Sequence, residues 1–159
     1  MIDTDFQIFH ITVKALIVHR GKLILMKSTE PDRPNDLEPP CGRVDQNESL
    51  KNALKRELLE EIDFDLDQIH CQISLFDINE RDKEEYGWDD KTTILEVYYL
   101  INVPAEIDFK IYPKSESNGL VYIDSESDLD KYTYTARGRK EIFKKIQKLL
   151  KKSLGEIFE

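Results

Sequence analysis

Residues 49–62 carry the pattern that most constrains what this chain can fold into. Leu50, Ala53, Leu54, Leu58 and Ile62 recur at intervals of three and four, which makes one apolar helical face. Ser49 stands where a helix cap is expected. On the same helix Glu57, Glu60 and Glu61 fall at i, i+3 and i+4, so three carboxylates project within one turn. The apolar stripe anchors the helix, and the acidic face is expected to look outward toward the proline-rich segment that precedes it. Carboxylates that close repel one another unless a cation relieves them. Two readings stand at this point. One is a solvated face laced with pairs such as Arg56 with Glu60. The other is a mount for a hard divalent cation, which takes oxygen ligands and is commonly completed by substrate phosphates.

The flanking segments have a different period. Over residues 6–17, Phe9, Ile11, Val13, Ala15 and Ile17 alternate, as in a strand buried on one face. Arg20-Gly21 offers a tight turn into a second strand over 22–27. Residues 28–42 contain Pro31, Pro34, Pro39 and Pro40 and read as a loop whose length hints at function. Segments 69–78, 92–103 and 119–123 read as strands, with a very polar run at 79–91. Residues 136–152 close the chain as an amphipathic helix with Ile142, Phe143, Ile146, Leu149 and Leu150 inward. Its lysines read first as side chains snorkelling into water, with a patch for an anionic partner as the other option. Strands mixed with two helices imply an α+β class, layered around a mixed sheet. At 159 residues the chain is expected to be a single domain over 1–159.

Charge narrows the function. Lys+Arg 23 against Asp+Glu 32 gives a net −9. A net anion gains little from neutralising a phosphate backbone, so nucleic acid is not an expected partner. Phosphates of any kind then have to be handled through cations. No apolar run approaches the ~18 residues of a membrane span, and MIDTDFQIF lacks the features of a signal peptide. Cys41 and Cys71 are too few for a disulfide framework, which points to a reducing cytoplasm.

The stretch 42–64 resembles the signature of the Nudix hydrolases, G-x5-E-x7-R-E-U-x-E-E-x-G-U with U bulky and apolar. Eight of its nine specified positions are met, by Gly42, Glu48, Arg56, Glu57, Leu58, Glu60, Glu61 and Phe64. Agreement of that quality by chance is on the order of one in 10⁵ at typical residue frequencies, which sets the solvated-face reading aside. Asp63 replaces the glycine after the helix, where a left-handed residue is often needed and Asp is among the better substitutes. Just upstream, Pro39-Pro40-Cys41-Gly42 stands where the family often has L-P-G-G, so Cys41 replaces a glycine. Asn47 sits where glycine is common, and Asn tolerates positive φ. No carboxylate is lost.

The resemblance implies a Nudix-like α/β/α sandwich with a mixed sheet and a pyrophosphohydrolase that uses Mg²⁺ or Mn²⁺. By the same resemblance Glu57, Glu60 and Glu61 bind the cation together with the main-chain carbonyl of Cys41. Glu57 is the first candidate for general base, and Glu48 with Arg56 forms the pair that locks the loop to the helix. The implied chemistry is attack by water at a phosphorus of a diphosphate. The cation lowers that water's pKa, screens phosphate charge and aligns the leaving group. The expected substrate is a nucleoside diphosphate joined to another group.

Outside the signature the pointers thin out. Glu116 is the candidate for a further loop acid, with Glu84, Glu85, Asp89 and Asp90 competing. Tyr86 and Trp88 are aromatic candidates for stacking on a base. No proline lies between Pro40 and Pro104, and the first tyrosine after the signature is Tyr86. Nudix relatives specific for ADP-ribose tend to carry a proline some fifteen residues past the signature, and those for dinucleoside polyphosphates a tyrosine. By the resemblance both absences speak against those substrates and leave nucleoside triphosphates and sugar nucleotides open. His10 falls on the polar face of the first strand. The rival function is a non-catalytic Nudix-fold module that senses nucleotides or binds a partner. An isopentenyl-diphosphate isomerase-like activity lacks its usual cysteine and histidine surroundings. The sequence also leaves room for a homodimer.

Overall fold

The computed structural model describes residues 8–28, 34–81, 92–108, 117–134 and 139–158. Its centre is β1 (Ile8–His19), which pairs in parallel along its whole length with β6 (Thr92–Val103). The other edge of β1 is shared. β4 (Cys41–Arg43) pairs antiparallel with 12–14, and β2 (Lys22–Ser28) with 17–19. β2 in turn holds β3 (Leu37–Glu38) and β7 (Ser117–Ile123), while β5 (Gln72–Arg81) pairs antiparallel with β6 and ends the row. The result is a mixed sheet, the architecture expected of an α+β sandwich.

Helices cover both faces. Val13, Ala15 and Ile17 pack with Leu54, Leu58 and Ile62 of α1 (Leu50–Ile62). Leu16 and Val18 pack on the other side with Ile142, Phe143 and Ile146 of α3 (Arg139–Phe158). The alternation in the sequence implies a strand buried on one face, and the structure corrects that. Leu16 and Val18 are as deeply buried as their odd-numbered neighbours, because a helix lies on each side. Each fully buried Leu or Ile contributes roughly 1.5–3 kcal/mol, so the strand is the mechanical axis of the fold.

The turn after β1 has Arg20 at φ 50° and Gly21 at φ 76°. Two positive φ values in a two-residue hairpin define a type I′ turn, whose twist matches the strands it joins. Residues 34–42 are less of a loop than the prolines suggest. The amide of Ala15 donates to Pro40 O at 2.8 Å and that of Val44 to Ile11 O at 2.9 Å, which extends the β4 pairing at both ends. The amide of Leu37 donates to Thr133 O at 3.0 Å, and the Thr133 hydroxyl bonds the Asp36 carboxylate. A four-residue helix, α2 (Glu126–Leu129), has no counterpart in the periodicity and is held by a Ser125–Asp128 capping box. β5 begins three residues later than the sequence pattern implies and runs on to Arg81. Among the described residues no helix is long and apolar enough to cross a membrane.

One charged cluster lies inside the sheet. Lys14 Nζ is 2.9 Å and Arg81 Nε 2.7 Å from Glu96 Oε1, and the Tyr98 hydroxyl donates to Glu96 Oε2 at 2.8 Å. All four side chains are buried. Burial pushes the Glu96 carboxyl up, but Lys14, Arg81 and the Tyr98 hydrogen bond together hold it below the usual range. The residues come from β1, β5 and β6, so this cluster joins three adjacent strands.

Candidate active site

Local capping sets where the acidic helix begins and ends. Ser49 is the N-cap, and its Oγ accepts the Asn52 amide at 3.1 Å. At the other end Asp63 takes the left-handed conformation, φ 55° and ψ 34°, and its amide reaches back to Leu58 O. The Phe64 amide also donates to Leu58 O, and Phe64 is fully buried. This is the arrangement in which a left-handed residue closes the last turn and an apolar residue beyond it packs down. Asn47, at φ 65°, takes the corresponding strained position before the helix.

Arg56 organises the site. Its Nε donates to Glu48 Oε1 and its Nη2 to Glu48 Oε2, each at 2.9 Å, so the pair is bidentate. Nη2 also donates to the Arg43 carbonyl at 2.8 Å, and Nη1 to Glu57 Oε1 at 2.6 Å. Glu60 Oε2 lies 3.5 Å from Nη1 and Asp45 Oδ2 3.6 Å from Nη2. Glu48 closes its own end of the loop by accepting the Asp45 amide at 3.0 Å. One guanidinium thus ties the segment after β4 to the helix and fixes one oxygen of Glu57.

Two of the acidic side chains lie against the 41–42 backbone. A Cβ built on Gly42 would sit 1.8 Å from Glu57 Cδ, so the Glu57 carboxyl occupies the space that a side chain at position 42 would need. Glu61 Oε2 accepts the Cys41 amide at 2.8 Å. Glu60, by contrast, points into solvent, with its side chain 60% exposed. The expected outward-looking acidic face is therefore split: Glu57 and Glu61 lean onto β4 and only Glu60 is open. Among the described residues no three His, Cys, Asp or Glu side chains converge as a metal cage.

The electrostatics follow from these contacts. The Arg56 hydrogen bond, with the Asp45 amide, holds Glu48 down to about 2. Glu57 moves the other way. Its partial burial raises it, against the opposing pull of Arg56, and the nearby Glu60 and Asp45 charges add to the rise. Arg56 is raised by its Glu48 hydrogen bond, against its own desolvation. The site thus holds one carboxylate pinned as an anion and one biased toward taking a proton.

Of the residues singled out in the sequence, the structure brings Glu48, Arg56, Glu57, Glu61 and Cys41 together, with Glu60 at the rim. Tyr86, Trp88 and Glu116 lie outside the described residues, as do Glu84, Glu85, Asp89 and Asp90. The Arg43 carbonyl and the Cys41 amide were not legible beforehand, since a main-chain group leaves no mark in a residue pattern. The cradle at Gly42 was partly legible, because glycine opens the signature.

A family model described as NUDIX domain matches residues 8–135. Comparison with curated protein sequences gives no match. Among solved structures, the E. coli dihydroneopterin triphosphate pyrophosphohydrolase aligns at TM-score 0.67 and 14% identity, over 90% of this chain and 97% of that one. A C. elegans Ap4A hydrolase in a binary complex aligns at 0.66 and 16%, over 89% and 97%. A MutT protein from Methanosarcina mazei Go1 aligns at 0.65 and 16%, over 89% and 95%. Identities this low speak for the fold alone. Together with the family match over most of its length, they settle the class: the chain belongs to the Nudix hydrolase family.

Proposed function

We propose that this protein hydrolyses a diphosphate bond in a nucleoside diphosphate linked to another group, and that it requires Mg²⁺ or Mn²⁺. The observation that carries the reading is the charge balance around Arg56. Glu48, Glu57 and Glu60 all lie within 3.5 Å of this one guanidinium, with Asp45 just beyond. A further cation is the natural complement to such an excess of carboxylate. The donor set is chemically suited to one, being all oxygen and hard. Glu57, Glu60, Glu61 and the Cys41 carbonyl are the groups that would hold it. When bound, a divalent cation would screen the phosphate charge and lower the pKa of an attacking water.

The chain's own residues do the rest. Arg56 grips Glu57 Oε1 and so fixes the plane of the carboxylate that acts as general base. Glu48 keeps Arg56 from swinging away, which makes it a positioning residue. The solved relatives named for Ap4A and for dihydroneopterin triphosphate support a nucleotide-like substrate, without selecting one. Specificity is assigned to segment 79–91 and the hairpin face, because a site that serves every diphosphate alike cannot discriminate between leaving groups.

The test is a panel of nucleoside triphosphates, sugar nucleotides and other NDP-X compounds, incubated with Mg²⁺ or Mn²⁺ and read as phosphate after phosphatase coupling. One compound class should turn over, EDTA should abolish it, and added cation should restore it. Full turnover in metal-free buffer would sink the mechanism. Saturable binding of a nucleotide with no turnover would point to the non-catalytic sensing module instead.

A further inference from the structure

The far end of the sheet, away from the acidic helix, has a surface that hydrolysis does not use. Among the described residues β5 is the last strand of the row, so no further strand pairs with its outer edge, although the Ile78 amide donates to Asp77 Oδ1 at 2.9 Å. The sequence QISLFDINER has neither lysine nor proline to guard that edge, and its guards are the charges of Asp77 and Glu80 and a bulge. Leu75 and Ile78 are 58% and 52% exposed on this strand. The pairing of β5 with β6 shifts register between Leu75 and Asp77, which leaves Phe76 as an extra residue. A bulge of this kind re-aims a side chain. Here it turns Phe76 toward α3, where it lines an open groove of about 300 Å³ with Leu149, Lys145 and Lys148. A second cavity of about 150 Å³, lined by Val18, Leu100, Ile146 and Leu150, meets the first at Leu149.

The charge at this groove is opposite in sign to that of the whole chain. The described exposed face of α3 carries Lys145, Lys148 and Lys151, in a protein of net charge −9. Lys145 reaches Asp77 of β5 at 3.3 Å, while Lys148 is exposed at the groove's rim. An apolar floor, a lysine rim and an adjacent terminal strand together define the ligand. We infer that the β5 edge and the α3 groove dock an extended peptide segment of another protein, with acidic and apolar residues in alternation. Its backbone would add to β5, its apolar side chains would enter the Phe76–Leu149 groove, and its carboxylates would meet Lys145 and Lys148. A second copy of this chain fits less well. Pairing two β5 edges about a two-fold axis sets both α3 helices on the same side of the sheet, where their lysine rows repel.

The experiment uses the full chain and a fluorescein-labelled peptide of about eight residues, roughly the length of a strand, alternating Glu with Ile, Val and Phe. Anisotropy should report saturable binding that weakens with salt, as the ion pairs require. A peptide with Lys in place of Glu should not bind, and N-methylation along one backbone edge should abolish binding. Lys148→Glu should raise the Kd by about tenfold or more, through lost attraction and added repulsion. Leu149→Asp, at a half-exposed position the fold tolerates, should do the same. Nucleotide hydrolysis should be untouched by either change. Equal binding of acidic and basic peptides, or no binding at all, overturns the inference. So does concentration-dependent dimerisation in sedimentation that Lys148→Glu leaves unchanged, since the edge would then belong to a second copy.

Discussion

Two charged clusters in this molecule are near mirror images. In one, a single cation, Arg56, is ringed by Glu48, Glu57, Glu60 and Asp45 at 2.6–3.6 Å. In the other, a single carboxylate, Glu96, is held by Lys14, Arg81 and the Tyr98 hydroxyl at 2.7–2.9 Å. The first is part-exposed, with the Arg56 side chain at 29%, and the second is sealed at 1%. Exposure and sign together separate their roles. A sealed carboxylate with its donors complete resists change and joins strands. An open cluster with surplus carboxylate is where the proposed cation and substrate would bind.

The comparison can be broken by exchanging what each cluster should lose. The largest effect is expected at Glu96→Ala, which removes the buried carboxylate that Lys14 and Arg81 share. Loss of one partner from a buried ion pair costs about 3–5 kcal/mol. Urea unfolding should show that loss, while kcat per folded molecule stays near wild type at low temperature. A drop in kcat without a stability loss would move Glu96 into the reaction.

Glu57→Gln should do the reverse. We expect kcat to fall by about 10² or more, near 2.7 kcal/mol of barrier, with the urea midpoint unchanged. An unaltered kcat would transfer the base to another acid, Glu116 being next.

A subtler change tests the cradle. Gly42→Ala pushes a methyl into the Glu57 carboxyl, which is the end of a flexible chain and gives way. Activity should fall by about tenfold, while stability shifts by less than about 1 kcal/mol, because the backbone need not move. A strongly destabilised variant would mean that Gly42 serves β4 itself and not the helix facing it.

The smallest effect is one of pH. Glu48 titrates near 2 in the folded protein against 4.5 ordinarily. A depressed carboxylate contributes stability that is complete above its unfolded pKa and fades as pH falls through the folded one. Wild type should therefore exceed Glu48→Gln in melting temperature above about pH 5, and the gap should close between about 4.5 and 2. A constant gap would mean that Glu48 acts by shape and not by charge.

How much of this was open to a reader of the sequence depends on distance along the chain. The acidic helix, its Ser49 cap, the turn at Arg20-Gly21 and the left-handed Asp63 are all set by neighbours, and each is where the residue pattern puts it. The Arg56–Glu48 pair spans eight residues and falls within one signature, so it too was legible. The Glu96 cluster was not. Its members, Lys14, Arg81 and Glu96, are far apart in sequence, and a lysine in an alternating strand reads as solvent-facing. Burial of both faces of β1 was hidden for the same reason, since Lys14 and His10 made the even positions look polar. The split between Glu57 and Glu61 on β4 and Glu60 in solvent turns on a missing Cβ and one amide, neither of which has periodicity.

The parallel pairing of β1 with β6 has a consequence for how the chain is made. Ile8 must find Thr92 and His19 must find Val103, with the whole acidic helix and its loop lying between them. The loop and helix of the site are built from near contacts and have their partners early, whereas β1 waits for a strand not yet synthesised. At typical rates of about 5–20 residues per second, that wait lasts roughly 4–17 seconds on the ribosome. During it one edge of the future sheet centre stands open beside apolar side chains. Long-range pairing of this kind is also slow once the strand arrives. The speed at which the message is read anywhere between β1 and β6, the acidic helix included, therefore bears on the yield of folded protein.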